Sequence, residues 1–128
     1  MSTSAADRLP ATPSSDVSER LARLLRSQTE GEVLFDAPSR GRYATDASIY
    51  QIMPVGVLVP KSERDIRAAI DIARDLKVPV LPRGGGSSLA GQTVGEAVVI
   101  DTSKYLRQIL SIDPEAREVR VQPGITFG

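Results

Sequence analysis

The chain contains no histidine and no cysteine. Without histidine it cannot build a Ser-His-Asp triad, an imidazole metal site or a histidyl link to a cofactor. Without cysteine, disulfides, zinc–thiolate sites, iron–sulfur ligation and a thiol nucleophile are excluded within the chain. An excess of charge is also missing, because 16 basic and 16 acidic side chains give a net charge of zero. That argues against a nucleic-acid or membrane-surface role driven by bulk charge. No stretch approaches the length of a membrane-spanning helix, and the N-terminus has no apolar signal core. The expected location is therefore the cytoplasm. What remains is 128 residues, 41% of them apolar. That is enough for one ordinary domain and not comfortably for two.

The most informative stretch is Pro82-Arg83-Gly84-Gly85-Gly86-Ser87-Ser88-Leu89-Ala90-Gly91-Gln92. Three consecutive glycines leave a main chain with no Cβ atoms to keep a ligand away. Successive free N–H groups in such a loop can form a concave nest for an anion. Ser87 and Ser88 add hydroxyl donors, and Arg83 adds a permanent positive charge. Two readings stand side by side: a pyrophosphate cradle, and a flexible surface turn, since Gly-rich loops are common. The loop follows a short apolar run, Val78-Pro79-Val80-Leu81. In open α/β sheets ligands sit beyond the carboxyl ends of strands, and this placement favours the cradle.

The rest of the chain divides into a tail over 1–15, a helix and irregular segment over 16–54, and a unit over 55–128. The tail is rich in Ser, Thr, Ala and Pro without periodicity, and disorder is expected there. A helix is expected from Val17 to Ser27, with Asp16 as N-cap and Val17, Leu21, Leu24 and Leu25 on one face. Residues 28–54 read as an irregular approach, in which Val33-Leu34-Phe35 is too short for more than a strand fragment. Tyr43 and Tyr50 within it either line a ligand pocket or anchor the loop to the domain surface. Val55 to Val59 reads as a buried strand, with Gly56 marking a close approach. Ser62 caps a helix carrying Ile66, Ala69, Ile70, Ala73 and Leu76 on one face, with Lys77 in its last turn. Strand, helix and strand imply a parallel crossover. Pro79 points to an edge or strand-start position. Glu96 to Asp101 is a further strand. Ile109–Ile112 and Glu118–Gln122 form an antiparallel pair around a proline turn, with Val119 and Val121 half-buried.

Two common phosphate loops are poor matches. Gly86 to Thr93 approaches the P-loop pattern, but Gln92 stands where the lysine is required and a strand follows where a helix is needed. The dinucleotide pattern G-x-G-x-x-G fails at Leu89, and no helix N-terminus follows to hold a pyrophosphate. Whatever the loop binds, it binds through its own amides.

Pro60, the Pro82–Gln92 loop, Val98-Val99-Ile100-Asp101 and Val121-Gln122-Pro123-Gly124 resemble the FAD-binding domain of the para-cresol methylhydroxylase and vanillyl-alcohol oxidase superfamily. The nearest branch is that of FAD-linked 2-hydroxy-acid dehydrogenases, the D-lactate dehydrogenase and glycolate oxidase flavoproteins. Tyr43-Ala44-Thr45-Asp46 and Ser48-Ile49-Tyr50 resemble the long members that also carry an iron–sulfur module. The resemblance covers about Gly31 to Gly128. It implies an α+β (α/β) fold, with a parallel β-α-β subdomain followed by the start of an antiparallel sheet. FAD would lie between the two parts. By resemblance Arg83, Gly84, Gly85, Gly86, Ser87 and Ser88 are pyrophosphate and ribose contacts, with Gly91 and Gln92 nearer the flavin. Some members link FAD to a histidine in this loop. That position is Gly86 or nearby here, so the resemblance implies non-covalent binding. Pro123 and Gly124 would shape the wall near the cofactor.

The resemblance also implies that half of the FAD domain, the substrate domain and any iron–sulfur module lie outside this sequence. No residue here is a credible general base for a 2-hydroxy acid, and Asp46 and Asp101 read as turn formers. The leading expectation is the N-terminal part of an FAD-dependent oxidoreductase acting on a 2-hydroxy acid such as D-lactate or glycolate. Alone it would be inactive, being an excised piece, a split gene or a truncated gene. Its small-molecule substrate would be met only in the full-length enzyme. The rival is a non-catalytic fragment or interaction subunit without cofactor, whose open sheet is completed by a partner chain. No metal, nucleic acid or membrane span is expected.

Overall fold

The computed structural model describes residues 12–127. The tail expected over 1–15 therefore lies mostly outside the described residues. Helix α1 spans Ser15–Gln28, and its N-cap is Ser14, whose hydroxyl accepts from Val17 N. Asp16 lies inside the first turn instead, where its charge suits the helix dipole. Strand β1 (Glu32–Leu34) and helix α2 (Ala37–Arg42) follow. The short β1 overlaps the strand fragment that Val33-Leu34-Phe35 allows, one residue earlier, whereas α2 is not an expected element. The start of α2 is set by Asp36, whose carboxylate accepts from Ser39 N at 2.9 Å, with proline in the first turn.

Strand β2 (Gly56–Val59), helix α3 (Glu63–Asp75), strand β3 (Val80–Arg83) and strand β4 (Val98–Asp101) complete the main unit. The sheet order is β1-β2-β4-β3. The expected crossover is present, but β2 and β3 are not neighbours. Strand β4 inserts between them, parallel to both, while β1 pairs antiparallel with β2. Strands β2 and β4 are buried along their whole length. That is why they read as unbroken apolar runs. On one face Leu58, Val98 and Ile100 pack under Leu21 and Leu25 of α1 and Ala69, Ile72 and Ala73 of α3. On the other, Val57, Val59 and Val99 meet Leu34, Tyr43 and Leu81.

Strand β3 is an edge, as Pro79 suggested. It also carries Pro82, opposite Ile100, a position tolerated only where one side of a strand has no neighbour. In α3 the packed residue is Ile72, and Ile70 is 44% exposed. Lys77 is not in the last turn but just past it, with φ +56°. Its N–H donates to Arg74 O and Val78 N–H to Ala73 O, a Schellman ending.

Strands β5 (Ile109–Asp113) and β6 (Glu118–Val121) form a separate antiparallel hairpin. Val119 is 56% exposed, not half-buried, because no second layer covers the hairpin among the described residues. The architecture is thus α+β, a mixed four-stranded sheet plus a two-stranded antiparallel one. Among the described residues no helix is long and apolar enough to cross a membrane.

Candidate functional site

The three parallel strands β2, β3 and β4 end on the same side of the sheet. The Gly-rich loop leaves from the end of β3 and returns to β4 without an intervening helix. Among the described residues, no protein acceptor takes a hydrogen bond from the N–H groups of residues 84–88. Gly84 and Gly85 are exposed, and a Cβ added to either would meet nothing within 4 Å. Packing among the described residues therefore gives no reason for glycine at these two positions. A run of unpaired amides on a bare main chain suits a phosphate group, which needs close approach and N–H donors.

The other glycines of the loop have internal causes. Gly86 has φ +69°, and a Cβ there would lie 2.5 Å from Arg83 Nη2. Gly91 has φ +75°, and its Cβ would lie 2.6 Å from the Tyr50 ring. Ser88 is a hub: its hydroxyl donates to Gln92 Oε1 at 2.8 Å and accepts from Ala90 N and Gln92 N. Gln92 is thereby held inside the loop.

The Arg83 guanidinium does not reach outward. Nη1 donates to Tyr43 O (3.3 Å) and Thr93 O (3.2 Å), and Nη2 donates to Thr45 O (2.8 Å). Its carbon sits 5.2 Å from the centre of the Tyr43 ring. Tyr43 in turn donates its hydroxyl to Asp101 Oδ2 at 2.6 Å. Burial first, and the Asp101 carboxylate second, push the Tyr43 phenol up from its ordinary value.

The segment from Tyr43 to Gln51 closes over this base. Ala47 N donates to Gly86 O at 3.1 Å, and Thr45 bridges to Gln51. Asp46 accepts from Ser48 N at 2.8 Å and from Thr93 Oγ1 at 3.0 Å. These bonds, with Ser48 the larger contributor, hold its carboxyl down at about 2. Asp101 accepts from Ser103 N and Oγ through its other oxygen. Both aspartates are turn formers, as the sequence suggested, and each also ties its turn to a second segment. Tyr43 acts as an anchor of the loop through its bond to Asp101, whereas Tyr50 is more than half exposed, with its ring beside Gly91. In the sequence Thr93 stands out only as the last position of the P-loop comparison, at the end of the Gly-rich run, and not as a site residue.

Gly84, Gly85 and Ser87 thus stand outermost, Gly86 and Ser88 are partly covered, and Arg83 lies beneath them. Pro123 comes to the same side, beside Gly84, in an apolar groove with Ile66, Ile70 and Ile100. Gly124 is buried, and a Cβ there would collide with the carbonyl oxygen of Thr102. Among the described residues no acidic cluster could hold a metal ion.

The family model described as "FAD binding domain" matches residues 54–128. D-2-hydroxyglutarate dehydrogenase of Pseudomonas putida is 36% identical over 115 residues, covering 88% of this chain and 11% of that protein. Glycolate oxidase subunit GlcD of Bacillus subtilis is 37% identical over 114 residues, covering 86% of this chain and 23% of that protein. The chain thus spans between about a tenth and a quarter of the length of these relatives. In fold it is similar to p-cresol methylhydroxylase, with a TM-score of 0.72 at 19% identity over 93% of this chain and 24% of that one. With more than half of its residues matched, the chain belongs to the FAD binding domain family.

Proposed function

We propose that this chain supplies the pyrophosphate-binding part of a non-covalent FAD site in an oxidoreductase acting on a 2-hydroxy acid. The observation that carries the reading is the run of N–H groups over 84–88 without protein acceptors among the described residues, on a main chain left open at Gly84 and Gly85. The main-chain amides of Gly84 to Ser88 and the Ser87 hydroxyl would hold the diphosphate oxygens. Gly91 and Gln92 would sit toward the flavin end. FAD bound there would accept the hydride from the carbon bearing the hydroxyl. This chain's own residues bind and orient; none of them is assigned proton abstraction. The names of the relatives, D-2-hydroxyglutarate dehydrogenase and glycolate oxidase subunit GlcD, support the substrate class.

The test is an FAD titration of the purified chain, followed by flavin fluorescence and absorbance. A saturable change is expected. A chain that leaves the flavin spectrum unchanged contradicts the reading. Activity is tested with D-lactate and glycolate and an artificial electron acceptor. The assay uses this chain alone and this chain joined to any coding sequence that follows Gly128.

A second reading is favoured by the hairpin. Ile109, Leu110, Ile112 and Val119 are each more than half exposed. A partner chain completing that sheet would cover them. Size-exclusion chromatography at rising concentration checks whether the chain associates.

A further inference from the structure

We propose that Arg83 is a positioning residue, a strut that sets the shape of the Gly84–Ser88 main chain, and not a ligand of the phosphate. The inference rests on the cradle reading above. It departs from the expectation, drawn from resemblance, that Arg83 touches the pyrophosphate.

Three observations converge. First, three of the five guanidinium N–H donors are taken by main-chain carbonyls of Tyr43, Thr45 and Thr93. Those carbonyls belong to the segment between α2 and β2 and to the strand-ward end of the loop. One planar fork therefore joins the loop's root, its return and its cover. Second, Gly86 bears a positive φ, and its missing Cβ makes room for the Arg83 side chain. The glycine is needed for the arginine below it, whereas Gly84 and Gly85 face open space. Third, the guanidinium lies on the Tyr43 ring, whose hydroxyl is fixed by Asp101 at the end of β4. The strut is thus braced on the central sheet.

The consequence is a specific division of labour. The amides meet the ligand, and the arginine keeps them pointing the same way. Lysine cannot replace such a fork, since its ammonium is one compact point on a flexible stem. As a plain phosphate contact, lysine would retain much of the effect.

The experiment compares wild type, Arg83→Lys and Arg83→Ala in two measurements. One is FAD affinity by fluorescence titration. The other is hydrogen exchange at the Ala47 amide, which donates to Gly86 O in the folded loop. The strut predicts that Lys and Ala variants lose affinity alike, by about tenfold or more, from the loss of several hydrogen bonds. It also predicts faster Ala47 exchange in both, with the sheet itself still protected. Affinity in Arg83→Lys close to wild type overturns the proposal. So does unchanged Ala47 exchange in Arg83→Ala. If wild type binds no FAD, the cradle reading fails, and the exchange measurement alone still decides the strut.

Discussion

The hydroxyl of Tyr43 donates to Oδ2 of Asp101 across 58 residues of sequence, at 2.6 Å. This bond ties the cover of the Gly-rich loop to the end of the central strand β4. Asp101 is buried, at 7% exposure, so its carboxylate depends on such partners. Tyr43→Phe removes one of them while the two bonds from Ser103 remain. We expect a loss of about 1.5–3 kcal/mol, the range for a hydrogen bond to a charged group. Urea denaturation checks it: the midpoint should fall with the slope unchanged. Because the folded phenol is raised above its ordinary value of 10.0, its contribution is present below that pH and is lost as pH rises beyond it.

Asp46 predicts behaviour at the other end of the pH scale. Its folded value, about 2, lies below the ordinary 3.8. A lowered carboxylate stabilises above its unfolded value, and the effect disappears as pH falls from there through about 2. The bonds it accepts from Ser48 and Thr93 then weaken, and the cover over the loop loosens before the sheet does. Amide chemical shifts of Ser48 and Thr93 followed from pH 5 downward should move together in that window. In Asp46→Asn the acid step at these amides should vanish. A step that persists in the Asn variant assigns it to another carboxylate.

The parts legible in the sequence are those governed by local rules. Ser62 as the cap of α3, the buried runs of β2 and β4, and the hairpin turn all follow from neighbours within a few residues. The insertion of β4 between β2 and β3 was not legible, since strand order depends on contacts far apart in sequence. Helix α2 is only six residues long and contains Gly41, so its periodicity is too brief to read. In the site, the glycines and serines announced a naked main chain. The role of Arg83 was hidden, because its partners are carbonyl oxygens, which every residue carries. A side chain that binds main chain leaves no mark in the identity of its partner.

Lys77 offers a stabilising change. It occupies the left-handed position after α3, with φ +56°, where a Cβ costs about 1 kcal/mol relative to glycine. Its backbone bonds to Arg74 O and Val78's to Ala73 O do not need the side chain. Lys77→Gly should therefore raise stability by up to about 1 kcal/mol, offset in part by a freer unfolded chain. Thermal melting of the two proteins measures it. A lower melting temperature in the variant would show that the lysine side chain contributes more than the strain it bears.

The sharpest contrast lies within the loop itself. Gly85 faces open space, and its φ is outside the left-handed region. Gly85→Val should leave the melting temperature close to wild type, since surface changes of this kind fall within about 0.5 kcal/mol. The added methyls would stand in front of the free amides, and FAD affinity should fall by about tenfold or more, the effect of 1.4 kcal/mol or above. Gly91→Ala should behave in the opposite way. At φ +75°, with the Tyr50 ring 2.6 Å from the new Cβ, it strains the fold. Tyr50 is 53% exposed and can swing aside, so the backbone term remains, about 1–2 kcal/mol. Melting and FAD titration on both variants separate the two roles. If Gly85→Val loses as much stability as Gly91→Ala, that glycine serves the fold and not a ligand. If it keeps full FAD affinity, the diphosphate does not approach the main chain at this point.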